Sequence, residues 1–572
     1  MSTIFLTTGN DSFSALSGQS IDGQGGSDTI DASAGNDSIY NYAGLNDSFT
    51  LGSNDTVIGA LKGGDLFTVN GSSNNINAQQ GGNDTINLAS GANNNNIYLH
   101  GSTGAEQINI ASTGNTLIGS QGADKVTILA GNNGSNVIDM QEGANVFVDN
   151  GGGNNTVYGS GNDTVTGGSG HDVLMLFGGN DSVTAGTGSH TIDAGLGNNS
   201  INTGTATELV YSTGGSNHVT IGSSADTFSY AYSPHAVNID FVNGLTSGVN
   251  GNATIGTAND VITYASGVHL TNVVLSSFND TVVAGAGQLI YGGTGSDSMN
   301  GSSGTDTLVG GTAGHNTFLI NGTNGGDSII GSNAGADSMS VGSGSANDTL
   351  NSEGGSNDSI SVSGNSISVY TFGSASGNHV TISGTGDTFI GSQGTDTISV
   401  SGSGSNLISS QIGQKIITDS GSGSNTLYGG TLASTISLTG AGHDLIIGGA
   451  GNDTITTSGV SGSSVTVYAS GGTNSVTSNG SDTIFSGTGG STGDNITLGA
   501  NAHTAINYIA ASNVAETDTI TGFTTGNDVI DLPSGVSNFK VTTSGADSII
   551  TYNNKTIDVI GHHIVSQDIV FI

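Results

Sequence analysis

The sequence predicts an all-β protein, a parallel β-solenoid of the β-roll or β-helix kind with a β-rich C-terminal domain. Three observations lead there. A short phrase of small-residue turn, Asp or Asn, Ser or Thr, then an aliphatic residue recurs through most of the 572 residues. Each phrase holds one obligatory apolar residue between polar ones, which reads as a strand of three to four residues with one side chain inward. Glycine contributes 99 residues and proline two, so the turns rely on positive φ and on Asn and Asp capping. Collagen is excluded, because the glycines lack a strict three-residue period and proline is nearly missing. A unit this small cannot bury its apolar side chain alone and must stack on its neighbours, which makes coils of parallel strands.

The phrase reads Asp28-Thr29-Ile30, Asp37-Ser38-Ile39, Asp163-Thr164-Val165, Asp306-Thr307-Leu308, Asp396-Thr397-Ile398 and Asp453-Thr454-Ile455, among others. The step is nine residues from Asp163 to Asp172 to Asp181, and ten or eleven from Asp327 to Asp337 to Asp348 to Asp358. A second version carries Asn, as in Asn155-Thr156-Val157, Asn199-Ser200-Ile201 and Asn425-Thr426-Leu427. The two interleave, since Asp181 is followed at the same step by His190 and Asn199. The repeat is therefore one structural unit with a changeable polar position. Two units make a coil of roughly 18–21 residues.

In chain order, residues 1–20 read as an N-terminal cap, with Ile4, Phe5, Leu6, Phe13 and Leu16 denser than in the repeats. Solenoids need such ends because an open strand edge invites pairing. Residues 21–204 form the first solenoid stretch. Residues 205–250 break the pattern with Glu208, Tyr211, Tyr230, Tyr232, Pro234 and Phe241, an interruption or a decorated coil. Residues 251–500 resume the repeat, and 501–572 carry longer apolar runs such as Ala505-Ile506-Asn507-Tyr508-Ile509.

Three stretches match a nine-residue motif completely: Gly167-Gly168-Ser169-Gly170-His171-Asp172-Val173-Leu174-Met175, Gly292 to Asn300, and Gly448 to Thr456. They resemble the RTX, or hemolysin-type, calcium-binding repeat. In that family the first six residues form a turn whose carbonyls and Asp carboxylate hold Ca²⁺, a hard cation that takes six to eight oxygens. The resemblance implies multiple calcium ions, with Asp163, Asp172, Asp181, Asp297, Asp306, Asp444 and Asp453 as foremost ligands. Asp28, Asp37, Asp55, Asp387 and Asp396 follow, and Gly167, Gly170, Gly292, Gly295, Gly448 and Gly451 are the matching turn glycines. An ion is expected between turns two repeats apart. Asp163 with Asp181 and Asp37 with Asp55 satisfy that, Asp172 meets His190, Asp297 meets His315 and Asn316, and Asp163 looks upstream to Asn154 or Asn155. A turn aspartate that only caps backbone N–H groups explains a lone phrase equally well. The C-terminal run Asp518-Thr519-Ile520 to Phe523, then Asp528-Val529-Ile530-Asp531-Leu532, resembles the end of RTX proteins exported by type I secretion. That route would fit Met1 to Asn10, which lacks the basic and apolar regions of a signal peptide.

Composition narrows function. Five Lys+Arg stand against 44 Asp+Glu, a formal charge of −39. All five are lysines, namely Lys62, Lys125, Lys415, Lys540 and Lys555. Nucleic-acid binding has no basic stripe to use, and an anionic membrane surface would repel the chain. No apolar run is long enough for membrane insertion. Without cysteine, disulfides and thiolate metal sites are impossible. No arginine is available as a base or as a clamp on an acidic polysaccharide, so an enzyme is not expected. The expectation is a secreted, extracellular or cell-surface calcium-binding structural protein, resembling type-I-secreted surface-layer proteins. It would assemble with copies of itself into an S-layer, extracellular matrix or filament. The alternative is a calcium-stabilised adhesin, an ice- or glycan-binding rod that meets a cell-surface glycan. It ranks second because the threonines are irregular along the sequence.

Overall fold

The polar–apolar–polar triplets become strands of three or four residues, and their pairing is parallel and in register. The computed structural model describes residues 3–59, 63–79, 81–242, 251–255, 258–301, 304–312, 314–323, 325–352, 354–409, 412–486, 493–500, 502–508 and 515–572, with the backbone alone for 251–255 and 258–259. The described residues are all β apart from one 3-10 turn, Ser566–Asp568. They form two units, Met1–Thr281 and Val282–Ile572.

In the first unit the chain alternates between two sheets, so each coil gives one strand to each. Sheet A begins Thr3–Phe5, Ser20–Asp22, Ser38–Tyr40 and Thr56–Ile58, with Ile4, Ile21, Ile39 and Val57 aligned. Sheet B begins Ser12–Ser14, Thr29–Ala32, Ser48–Leu51 and Leu66–Val69. The expected cap residues thus already pair as a regular coil, and its Phe5 and Leu16 are exposed.

The two sheets bury different numbers of side chains. A sheet A strand such as Thr116–Ile118 buries only its middle residue. A sheet B strand such as Thr85–Leu88 runs one residue further before its turn and buries both Ile86 and Leu88. The sequence predicts one inward side chain per strand, and sheet B supplies the second. The inward residues stack into columns, and Phe49 lies on Phe67 with ring centroids 4.9 Å apart. Each such side chain contributes about 1.5–3 kcal/mol on burial.

Regular strands run well into the segment expected as an interruption: Leu209–Tyr211, His218–Ile221 and Thr227–Ser229 continue the two sheets. The departure comes after them. Val237–Asp240, Gly251–Ile255 and Ala258–Tyr264 form an antiparallel meander whose last strand rejoins sheet B parallel to His218–Ile221. Residues 243–250 of that segment lie outside the described residues.

The second unit repeats the scheme from Leu289–Tyr291 in sheet A and Ser298–Gly301 in sheet B. Its C-terminal region is built on the same two sheets. Lys540–Ser544, Asp547–Tyr552 and Lys555–Ile560 form a second antiparallel meander, whose last strand lies parallel to Glu516–Thr521. Ile569–Phe571 pairs with Val529–Leu532. The register sets Glu516 opposite Lys555, and the two form a buried ion pair at 2.5 Å.

Phe147 is fully buried in the sheet B strand Val146–Asp149. Its replacement by Ala should destabilise the first unit by about 3–5 kcal/mol. Thr166→Ala, on the outer face of the next strand, should stay within about 0.5 kcal/mol. Urea unfolding in saturating calcium compares the two.

Candidate metal centres

The acidic or amide residue of each phrase sits immediately before a strand and is buried. Its side-chain oxygen accepts the backbone N–H of the equivalent residue one coil earlier. In the sheet B row, Asp11 N–H donates to Asp28 Oδ1 at 2.8 Å, Asp28 to Asp47 at 2.6 Å and Asp47 to Asp65 at 2.8 Å. Further along, Asp163 N–H reaches Asp181 Oδ1 at 2.7 Å and Asp181 N–H reaches Asn199 Oδ1 at 2.8 Å. In the sheet A row, Gln19 donates to Asp37 at 2.7 Å and Asp37 to Asp55 at 2.8 Å. In the second unit Ile367 N–H reaches Asp387, Asn425 N–H reaches Asp444, and Ser434 N–H reaches Asp453. Asp306 accepts from Gln288 and donates to Asp327. One carboxylate oxygen therefore does what a turn-capping aspartate does, and the other oxygen remains for a different partner.

Some neighbour assignments differ from the sequence expectation. The residue before Asp163 in its row is Asn145 at 2.9 Å. Asn155 belongs to the sheet A row and pairs with Asp172 at 2.8 Å, while the Asn154 side chain caps exposed His171. Alternate phrases go to opposite sheets, so sequence distance alone picks the wrong neighbour. Asp172 does meet His190, whose Nδ1 is 3.3 Å from Asp172 Oδ2. Asp297 N–H donates to Asn316 Oδ1 at 2.8 Å, and His315 is exposed beside it.

The Asn positions reveal what the second oxygen faces. Asn199 Nδ2 donates to the Ala194 carbonyl at 3.1 Å, and Asn474 Nδ2 donates to the Ala469 and Gly471 carbonyls at 2.9 and 3.1 Å. At those turns an amide proton bridges turn carbonyls. An aspartate places an oxygen there instead. Oδ2 of Asp28, Asp37, Asp84, Asp163, Asp181, Asp348, Asp387 and Asp453 is buried with no hydrogen-bond donor. A buried carboxylate oxygen left this way is costly unless a cation reaches it.

The turn glycines leave room around that oxygen. A Cβ on Gly448 would lie 2.7 Å from Asp453 Oδ2, and one on Gly159 would lie 2.3 Å from Asp163 Oδ2. Gly292 stands in the same relation to Asp297. The Gly170, Gly295 and Gly451 carbonyls point to the next coil, within about 2.1 Å of where a Cβ on Gly188, Gly314 or Gly472 would sit. Gly167 comes within 2.9 Å, by its own hypothetical Cβ, of the His190 ring. The donor set is all oxygen, and no cluster of three His, Asp or Glu side chains occurs among the described residues. A cation here would take one or two carboxylates and fill its shell with backbone carbonyls, a set that suits calcium.

At other acidic positions the chain supplies donors of its own, a distinction the sequence reading missed. Where serine replaces the second glycine of the motif, it caps the carboxylate. Ser120 Oγ donates to Asp124 at 2.6 Å and Ser392 Oγ to Asp396 at 2.7 Å, each with its own N–H on Oδ2. Ser332 does the same for Asp337. The signal lies in Gly119-Ser120, Gly331-Ser332 and Gly391-Ser392 against Gly448-Gly449. Asp47 accepts from Asn41 Nδ2 at 2.6 Å, and Asp55 from the Gly52 N–H at 2.8 Å.

Burial pushes Asp181 and Asp453 up to about 7 and Asp387 up to about 6. Neighbouring Asp163 adds to the rise at Asp181, and Asp494 to that at Asp453. Asp28, Asp37, Asp84, Asp163 and Asp348 are raised in the same direction by burial.

A parallel β-solenoid whose turns offer oxygen cages to a hard cation is a calcium-repeat protein by class. A family model of the RTX calcium-binding nonapeptide repeat matches residues 7–47, 22–57, 151–174, 175–207, 289–315 and 438–459. The chain is an RTX-repeat protein, and this repeat family binds calcium. The matched segments contain Asp28, Asp37, Asp55, Asp163, Asp172, Asp181, Asp297, Asp306, Asp444 and Asp453, while Asp387 and Asp396 lie outside them. A search of the curated proteins found no match. RTX repeats occur in secreted proteins, and no described helix is long and apolar enough to cross a membrane.

Two predictions follow from this chemistry. Without calcium, the native state holds protons that the unfolded chain has released. Stability should be full below about pH 4 and fall as pH rises through 6 to 7. Calcium needs the ionised carboxylate and should offset that loss at high pH. Thermal unfolding in calcium-depleted buffer at pH 4.5 and 8, with and without added calcium, checks both signs. Asp453→Asn, which supplies the amide proton used at Asn474, should stabilise the calcium-free protein. It should also remove one site's calcium gain, about 2.7 kcal/mol at hundredfold excess. Calcium titration followed by circular dichroism measures it.

Proposed function

We propose that the chain is a secreted, calcium-stabilised structural protein that assembles with copies of itself into a surface layer, extracellular matrix or filament. The observation that carries this reading is how fully the repeat fills the chain. Both units are built from the same coils and meanders, and the described residues gather no group of three acidic or histidine side chains for metal chemistry. Catalysis is not part of the proposed role. The C-terminal resemblance supports export by a type I system. Calcium is scarce inside cells and millimolar outside, so folding would be completed after export.

Assembly needs a contact that a chain of charge −39 does not repel. Phe523 and Leu532 of the C-terminal region are buried at 5% and 0% exposure and fill the interior of the last coils. A largely apolar groove of about 350 Å³ in the same C-terminal region is lined by Phe539, Val541, Ile564, Val565, Ser566, Ile569 and Phe571. Phe539, Val565 and Phe571 are exposed there. Calcium shared between carboxylates of two copies would lower the repulsion elsewhere.

A second reading, an adhesin or an ice- or glycan-binding surface, gains support from the register. Threonines that look irregular along the sequence align on the outer face of sheet B in the second unit. Ser340, Ser361, Thr381, Ser399 and Thr418 follow one another, and the row continues through Ser437, Thr456, Thr477 and Thr497 to Thr521. Hydroxyls repeat about every 4.8 Å.

Electron microscopy and sedimentation in millimolar calcium should reveal ordered polymers that chelation disperses. Combining Phe539→Ser with Phe571→Ser should leave the circular dichroism spectrum intact and abolish polymers. A wild-type protein that stays monomeric at high concentration would refute assembly, and thermal-hysteresis and glycan-array assays would then test the second reading.

A further inference from the structure

One turn of the second unit already contains a cation. Lys415 stands in the sheet B row that runs Asn378, Asp396, Lys415, Ser434 and Asp453, with Asp396 as its register partner. Both side chains are fully buried. The Lys415 ammonium lies 3.0 Å from Asp396 Oδ2 and donates to the carbonyls of Ser392 at 2.9 Å, Gly394 at 2.8 Å and Ile412 at 3.1 Å. These oxygens come from two successive turns on one side. Asp396 Oδ2 also accepts the Ser392 N–H at 2.9 Å.

The stem of the lysine occupies the space over the first turn glycine. A Cβ on Gly391 would lie 3.0 Å from Lys415 Cε and 2.8 Å from Asp396 Oδ2. At Gly448 the corresponding position lies 2.7 Å from Asp453 Oδ2, an oxygen with no donor. The two turns share the first glycine and the carboxylate, but Asp396 meets the Ser392 hydroxyl and N–H and the Lys415 ammonium, whereas Asp453 Oδ2 meets no donor.

We propose that Lys415 is a covalently tethered substitute for a calcium ion, which makes the turn between Gly391 and Lys415 independent of metal. The inference rests on the calcium reading of the other turns. An ammonium suits a cage of one carboxylate and three carbonyls, since its donors match the acceptors and its charge balances Asp396. Such a segment would hold its coils before calcium is met and give the metal-dependent coils a template.

Hydrogen exchange on the full chain, with calcium and after its removal, tests this directly. Amides of Thr397–Val400 and Ile416–Thr418 should keep their protection without calcium, while those of Thr164–Thr166 and Ser182–Thr184 lose at least tenfold. Lys415→Met should bind one more calcium per chain than wild type by equilibrium dialysis, and its protection at 397–400 and 416–418 should become calcium-dependent. Adding Asp396→Asn to that variant should restore the wild-type count. Loss of protection at 397–400 and 416–418 in calcium-free wild type would overturn the proposal. So would an unchanged calcium count in folded Lys415→Met, or a Lys415→Met chain that calcium cannot fold. If calcium alters neither segment of the wild type, the calcium reading falls and takes this inference with it.

Discussion

A buried oxygen surrounded by other oxygens is the constraint on which this structure depends. Stacking the coils brings the turn carbonyls of one coil against the next and encloses a polar side chain between them. One side-chain oxygen is satisfied by the N–H of the preceding coil, as in Asp163 to Asp181. The other atom of the side chain then needs a positive or proton-bearing partner, or burial penalises it. The amide of Asn199, the backbone N–H of Ser392 and the ammonium of Lys415 are three answers supplied by the chain. Where the chain supplies none, as at Asp181 and Asp453, proton or calcium is the remaining answer.

This constraint explains the composition. Glycine is needed where a turn carbonyl or a carboxylate occupies the position of a Cβ, as at Gly159, Gly188 and Gly448. The apolar interior is narrow, one or two buried residues per strand, as in Thr116–Ile118 and Thr85–Leu88. It depends on columns such as Ile21, Ile39 and Val57 rather than on bulk. The cations compensate a chain in which carboxylates stand one coil apart, and their repulsion would otherwise oppose stacking.

Much of this was legible in the residues. The alternation in Thr164-Val165-Thr166 fixes Val165 inward and both threonines outward, and the recurrence of the phrase requires stacking. The complete motif at Gly448 to Thr456 marked Asp453, whose free oxygen and glycine cradle suit a cation. Less legible was the partner of each aspartate. The phrases of Asp163 and Asp172 look alike but enter different sheets, so Asn145 and not Asn155 precedes Asp163. The serine caps were visible as letters, yet their meaning required the hydroxyl to be placed against the carboxylate.

The sequence by itself determined the local events, because they depend on neighbours within a few residues: strand, turn, inward face and the polar position before each strand. The tertiary structure decided what lies across the coil, 17 to 24 residues away. Turn lengths vary, so that separation is set by accumulated register and not by any single spacing. It alone brought Lys415 onto Asp396, aligned Ser340 through Thr521 on one face, and buried Phe523 and Leu532 while leaving Phe539 and Phe571 exposed.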